Sequence, residues 1–341
     1  MRPTACMIVP RPHAAVLNGK HRDPMTNRVP KVLTSIALLT AVIAVADIRG
    51  AHGNGMALAL GHAAHFAGLA GCAAIAVAAA LIVLSHTPRY RERSLAWRWR
   101  EWALALLCVV TIAAFSQAIV VLDYLCVALA PPSIEADLVR FDALLGFHWP
   151  DLYRWVRAHA ELQRALAVAY HGSIVQLIAV PFILSTARRH DDLAEFMVMF
   201  AVALLVVVVV STPFPAQSAF VHFGIADANT ASTVSHYDLL RSGQLRLFSL
   251  SESQGLVSLP SFHVMLALLF AYAVRHVRYV FPASIGLNVA MIVSTPTQGG
   301  HYLADVIAGI VFGALSIVVV RRWMAGPRSA ATTGPRATHP T

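Results

Sequence analysis

Residues 297–305 read TQGGHYLAD, at the point where a loop turns into the last apolar run of the chain. His301 and Asp305 stand four residues apart, so on a helix their side chains share one face. Ionisable groups at membrane depth are costly and mark candidate sites. An aspartate beside a histidine fixes the imidazole tautomer and supports the cation formed when the ring acts. That suits a nucleophilic imidazole. Upstream, SLPSFHVMLALL carries His263, which has no acidic neighbour and suits a general acid for a leaving alcohol. Pro260 fits a first helical turn, and Ser261 adds a hydroxyl. Gly299 and Gly300 allow the backbone to close on a ligand. Helix N-termini offer free N–H groups and a positive dipole end, a ready anion site. The set suits phosphoryl transfer that calls for no metal and no other cofactor. Two plainer readings stand beside it. The histidines and aspartate could form a structural cluster at helix ends, and Ser261 could be only a cap.

The elements that would hold these groups are membrane helices. Of 341 residues, 57% are hydrophobic and 13% are charged. A soluble domain carries about 25% charged residues. Apolar runs over 32–48, 56–84, 102–130, 165–186, 195–212, 261–279, 281–296 and 303–322 predict an all-α polytopic bundle of about eight spans. The first and seventh runs are short for a bilayer core. The net charge of +9 is spread in short basic blocks between apolar runs, which is no nucleic-acid signature. Cys6, Cys72, Cys108 and Cys126 show no CxxC spacing, and three lie in apolar runs as packing residues. Residues 1–31 and 324–341 are expected to be disordered cytoplasmic tails, with Met25 an alternative start. Residues 32–84 are expected to form two N-terminal membrane helices.

Basic residues set the orientation. They occupy the N-terminal tail, the 85–101 loop, Arg188 and Arg189, Arg275 and Arg278, and Arg321 and Arg322. These segments alternate with the others, so both termini are expected in the cytoplasm. The loops 131–164, 213–260 and 297–302 then face outward. His263 and His301 therefore enter their helices from the same side. Gly309 and Gly313 continue the face of His301 and Asp305, while Ala267 and Ala271 continue that of His263. Small residues let helices approach closely. Packing of the two stripes on each other would bring the histidines into one pocket.

PSFH at 260–263, followed by Ser294, His301 and Asp305 in the spacing S-x6-H-x3-D, resembles the type 2 phosphatidic acid phosphatase (PAP2) superfamily. The second motif of that family reads PSGH, and Phe262 replaces its glycine. The wording GHYLADVIAG, with RFDALLGFHWP at 140–150, is most similar to the inositol phosphorylceramide synthase-like branch. The resemblance covers residues 102–323 and implies a six-helix catalytic core. It implies His301 as nucleophile through a phosphohistidine, Asp305 as its orienting partner, His263 as acid and Ser261 as a phosphate ligand. The family's first motif, K-x6-RP, cannot occur in the core, because no lysine follows Lys31. The arginine of the third motif is Thr295 here. Arg241 and Arg246, in DLLRSGQLRLF, are the candidates to meet the phosphate charge, with Gly300 beside them, because guanidinium groups fit phosphate bidentately.

Other ionisable groups have plainer readings. His62 and His65 read as satisfied structural residues rather than haem or metal ligands. Asp123 is a site residue or a paired structural acid, His171 a candidate pocket residue, and the RRHDD turn at 188–192 a solvated loop. The expected protein is an integral membrane lipid phosphatase or phosphotransferase, plausibly of a bacterial inner membrane. Its partners would be a lipid phosphate and either water or an alcohol acceptor. A non-catalytic lipid binder or transporter on a degenerate scaffold is the alternative, and a redox protein on the histidine-rich helices a more distant one.

Overall fold

The computed structural model describes residues 28–59, 61–227 and 236–325. Cys6, Met25 and most of both expected tails lie outside the described residues.

The chain is an all-α bundle, and its order follows from its apolar runs. Helix α1 (Arg28–Gly53) already begins inside the segment expected to be tail. Pro30 sits in its first turn, where a missing N–H is harmless. A three-residue strand β1 (Ala57–Ala59) follows, then α2 (Gly61–His86), the short α3 (Arg91–Ala96) and α4 (Trp99–Ala128). Helices α5 (Glu135–Leu144) and α6 (Trp149–Ala158) cross the end of the bundle. Then come α7 (Ala160–Thr186), α8 (His190–Ser211), the single turns α9 (Ala219–His222) and α10 (His236–Arg241), and β2 (Leu247–Ser249). The last three are α11 (Phe262–Ala273), α12 (Val280–Gly299) and α13 (Leu303–Ala325). Strands β1 and β2 pair in parallel, tying the N-terminal hairpin to the 213–260 segment.

Among the described residues seven helices are long and apolar enough to span a membrane, and α11 is a shorter eighth. The expectation that the first and seventh runs are short is corrected. Helix α1 has 26 residues and α12 has 20, whereas α11 has 12. Polar residues extend the first two beyond their apolar stretches, because a helix continues wherever its backbone bonds are satisfied. Helices α4, α7, α8, α11, α12 and α13 make the core, with Phe196, Phe200, Met265 and Phe270 fully or almost fully buried at its centre. Helix α2 lies against α4 and buries only Ala78.

Two contacts fix the depth at which α11 and α13 meet. A Cβ added at Gly309 would lie 2.8 Å from the Ser261 carbonyl oxygen, and one at Gly313 would lie 3.2 Å from Met265 Cα. The α13 glycines thus receive a neighbour closely, as expected. The face they receive is Ser261, Val264, Met265 and Leu268, not the His263–Ala267–Ala271 stripe. His263 is thereby turned away from α13 and toward α7.

The basic segments gather at one end of the bundle. Ser185 Oγ donates to the Glu101 carbonyl (2.6 Å), Arg188 pairs with Glu101 (3.3 Å), and Arg28 pairs with Asp191 (3.8 Å). The RRHDD turn there is solvated only in part, since Arg188 is exposed but His190 to Asp192 begin α8 and the last of them is buried. Asp192 is 6% exposed and Glu195 8%. Arg275 reaches both, at 3.0 and 2.6 Å, while Arg189 and His276 also hold Asp192. Burial forces pairing, since an unpaired charge at that depth would be far costlier.

Candidate active site

The site lies at the opposite end, where α11 and α13 begin and α12 ends. Gly300 closes α12 with φ of 68°, the left-handed conformation that glycine accepts most readily. A side chain there would strike Ser218 Oγ and the Phe220 ring. The Gly300 carbonyl accepts from Ala219 N (2.7 Å) and Ser218 Oγ (3.2 Å), so the turn is clamped by α9. This sharp reversal delivers His301 into the bundle, 8% exposed.

His301 Nδ1 lies 3.0 Å from the Ser258 carbonyl oxygen and 3.4 Å from Asp305 Oδ2. Both partners are acceptors, so Nδ1 carries the proton and Nε2 keeps its lone pair. That is the tautomer a nucleophilic imidazole requires. The nearer orienting partner is therefore a backbone carbonyl. Asp305 divides its work, because Oδ2 also accepts the Tyr302 N–H at 2.9 Å, as an N3 carboxylate does in a capping box. Ser258 is itself pinned, its N–H and hydroxyl both donating to the Ala216 carbonyl.

The N-terminus of α13 is not an open anion site. Asp142 of α5 accepts the Leu303 and Ala304 N–H groups, one on each carboxylate oxygen, both at 2.9 Å. With Asp305 on Tyr302, the leading N–H groups of α13 are taken by side chains of the protein itself. Asp142 is 3% exposed. Burial raises its carboxyl above the usual range, the two N–H donors pull it back, and nearby Asp305 raises it further. A second strap comes from α6, where Trp149 Nε1 donates to the Pro296 carbonyl at 3.0 Å. Trp149 stacks between Tyr153 and Phe223, at 5.3 and 5.6 Å. The RFDALLGFHWP stretch thus holds both helix ends that flank His301.

His263 meets α7. Its ring stacks on Tyr170 at 4.2 Å, and its Nδ1 lies 3.3 Å from the Tyr170 hydroxyl. A Cβ built on Gly299 would sit 2.8 Å from both that hydroxyl and His301 Cδ2. The Tyr170 phenol therefore stands between His263 and the Gly299–His301 turn. Gln163, Ala167 and Tyr170 occupy one face of α7. A cavity of about 370 Å³ at the start of α7 is lined by Arg157, Ala160, Gln163, Arg164 and Ala167, and neither Tyr170 nor either histidine lines it.

Four buried polar atoms on residues at the ends of α11, α12 and α13 make no hydrogen bond among the described residues. They are Ser261 Oγ, Gln298 Oε1, Tyr302 Oη and Asp305 Oδ1. Ser261 stands at the N-cap position of α11, yet its side chain caps nothing. Each departs from the rule that buried polar groups are paired.

None of the remaining candidates has a hydrogen bond to either histidine among the described residues. Arg241 ends α10 with its guanidinium 5.2 Å from the Tyr237 ring centroid, and its Nη1 is buried without a partner among the described residues. Arg246 is exposed beside β2, with Nη1 3.3 Å from a Cβ built on Gly55. Asp123 is buried in α4, and its Oδ1 makes no hydrogen bond among the described residues. His171 is exposed on α7 and bonds its own helix at Ala167 (2.8 Å). His62 and His65 are exposed on α2, so they are not the satisfied interior residues expected. Sequence reasoning missed Ser258, Asp142 and Tyr170. The only signal for Asp142 was its place in a noticed stretch, and a backbone carbonyl leaves no signal at all.

The profile of the PAP2 superfamily matches residues 136–319, more than half of the chain. The chain belongs to the PAP2 superfamily. No curated protein and no solved structure gives a match. The matched segment runs from α5 to α13 and contains both histidines, Asp142 and Tyr170. Helices α1, α2 and α4 precede it. PAP2 membership and seven apolar helices together make this an integral membrane protein of a family of lipid phosphatases.

Proposed function

We propose that this PAP2 protein cleaves a lipid phosphoester through a phosphohistidine at His301. His301 Nε2 attacks phosphorus while the P–O bond to the alcohol breaks, and His263 gives that alcohol its proton. Water or a second alcohol then attacks phosphorus, the P–N bond breaks, and the incoming oxygen gives its proton to His263. Asp305 and the Ser258 carbonyl hold the His301 Nδ1 proton throughout. Ser261 Oγ, unpaired and buried beside them, is a phosphate ligand. The observation that carries the reading is the Nδ1 pairing of His301, because it leaves Nε2 as a free base beside a second imidazole.

Arg241 and Arg246 remain the proposed source of positive charge from the 236–249 segment, and the Gly300 turn the proposed backbone lining. The similarity of GHYLADVIAG to the inositol phosphorylceramide synthase-like branch favours transfer to an alcohol, with hydrolysis as the second outcome. The basic blocks favour a site on the outer leaflet with both termini in the cytoplasm.

A panel of lipid phosphates in detergent tests this with wild type and His301→Ala. Free phosphate that disappears in the variant identifies a phosphatase. A new phosphorylated lipid with little free phosphate identifies a transferase. Well-folded wild type that turns over nothing would move the reading to a lipid-binding scaffold.

A further inference from the structure

We infer that the cavity at the junction of α6 and α7 binds one anionic phospholipid, whose phosphate meets Arg157 and Arg164 while an acyl chain lies along the exposed face of α7. No residue of the proposed active site lines this cavity, and the inference holds whether or not His301 forms a phosphohistidine.

The charges that line the cavity are both positive. They are Arg157 and Arg164, and the carboxylates that pair with them, Asp227 and Glu161, do not line it. Arg157 is oriented by buried groups. Its Nε pairs with Asp227 (3.3 Å), which also accepts from the Tyr153 hydroxyl (2.6 Å), and its Nη1 donates to Gln163 Oε1 (3.2 Å). Asp227 and Gln163 are 7% and 8% exposed. Two of the three guanidinium nitrogens thus fix the group in place, and Nη2 is left for a ligand. Arg164 pairs with Glu161, but those side chains are 72% and 85% exposed. Such a surface pair contributes little and yields readily to a better anion. Guanidinium groups match phosphate oxygens in shape and charge.

The face of α7 that leads away from the cavity is apolar. Arg164, Val168, His171, Val175 and Ile178 follow at steps of four and three, so they share one face of the helix. All are exposed, Val168 at 73% and Val175 at 66%. His171 turns Nδ1 to its own helix, at the Ala167 carbonyl. From Arg164 to Val175 this face runs about 16 Å by the helix rise, close to one leaflet of a hydrocarbon core of ~30 Å. Trp155, two residues before Arg157, is also exposed, as indoles at membrane interfaces are. Two cations above an apolar stripe of one-leaflet length match the outline of a phospholipid. A free anion would use only the upper part.

The test counts lipid retained by the full chain in detergent, by native mass spectrometry. The probes are dioleoylphosphatidylglycerol, dioleoylphosphatidylcholine and inorganic phosphate. Wild type is expected to retain one phosphatidylglycerol and much less phosphatidylcholine. Arg164→Gln should lower that retention about fivefold, the scale of one basic residue at an anionic membrane surface, and Ala160→Trp, which fills the cavity, should lower it further. Ser261→Ala, at the proposed active site, should retain the lipid as wild type does, and excess inorganic phosphate should not displace it. Retention unchanged in both Arg164→Gln and Ala160→Trp overturns the inference. Loss in Ser261→Ala would put the lipid at His301 instead, and displacement by inorganic phosphate would make this a site for a free anion; either result also overturns it.

Discussion

The two ends of α11 treat buried polarity in opposite ways. At the Arg275 end, Asp192 and Glu195 are held by Arg189, Arg275, His276 and Tyr272. At the His301 end, about 18 Å away by the rise of a twelve-residue helix, four buried polar atoms have no hydrogen bond among the described residues. At that end even the buried oxygen without a hydrogen bond, Asp191 Oδ1, has the Arg28 guanidinium 3.8 Å away. A cluster that exists to receive a ligand leaves donors and acceptors open until the ligand arrives. The proposed ligand role of the His301 end rests on this difference and not on residue type, because both ends use histidine and aspartate.

That contrast predicts a gradient of stability effects that runs against the gradient of activity effects. Arg275→Ala leaves two buried carboxylates without their shared cation. It should cost about 3–5 kcal/mol, read as a large fall in unfolding temperature in detergent, while the folded fraction keeps its specific activity. Asp142→Ala frees two N–H groups at the start of α13. It should cost about 1–2 kcal/mol and also lower turnover, because His301 rides on that helix end. Ser261→Ala removes no hydrogen bond, so stability should change by less than about 0.5 kcal/mol while turnover falls on the order of tenfold or more. If Ser261→Ala destabilises as much as Arg275→Ala, the contrast between the ends fails.

Asp142 adds a pH signature. Its carboxyl is raised in the folded state, so folding favours its neutral form. The unfolded group titrates near 3.9. Stability therefore falls as pH rises from about that value through the raised native value, and is level above it. Asp142→Asn should flatten this part of a stability–pH curve, and an unchanged slope would remove Asp142 as its source.

The bundle was legible because a span needs a long apolar run, and the runs were intact. The His301–Asp305 contact was legible because spacing on one helix is a local property. The Gly309–Gly313 stripe was read correctly as a close-approach face, yet its partner face was not. Ala267 is as small as the glycines require, but rotation of α11 is set by everything around it, including the Tyr170–His263 stack. The open N-terminus expected of α13 failed for a similar reason. Its occupant, Asp142, comes from 161 residues away in the chain. Asp192 looked solvated in RRHDD because sequence shows charge but not the helix that covers it.

The most direct test of the central claim is to trap the covalent intermediate. Wild type is mixed with radiolabelled lipid phosphates, quenched rapidly, and the protein-bound label is mapped. A label that is stable to alkali, lost in acid, located on His301 and absent from His301→Ala is the predicted result. Turnover of the same lipids with no protein-bound label, or with label that persists in His301→Ala, would contradict it.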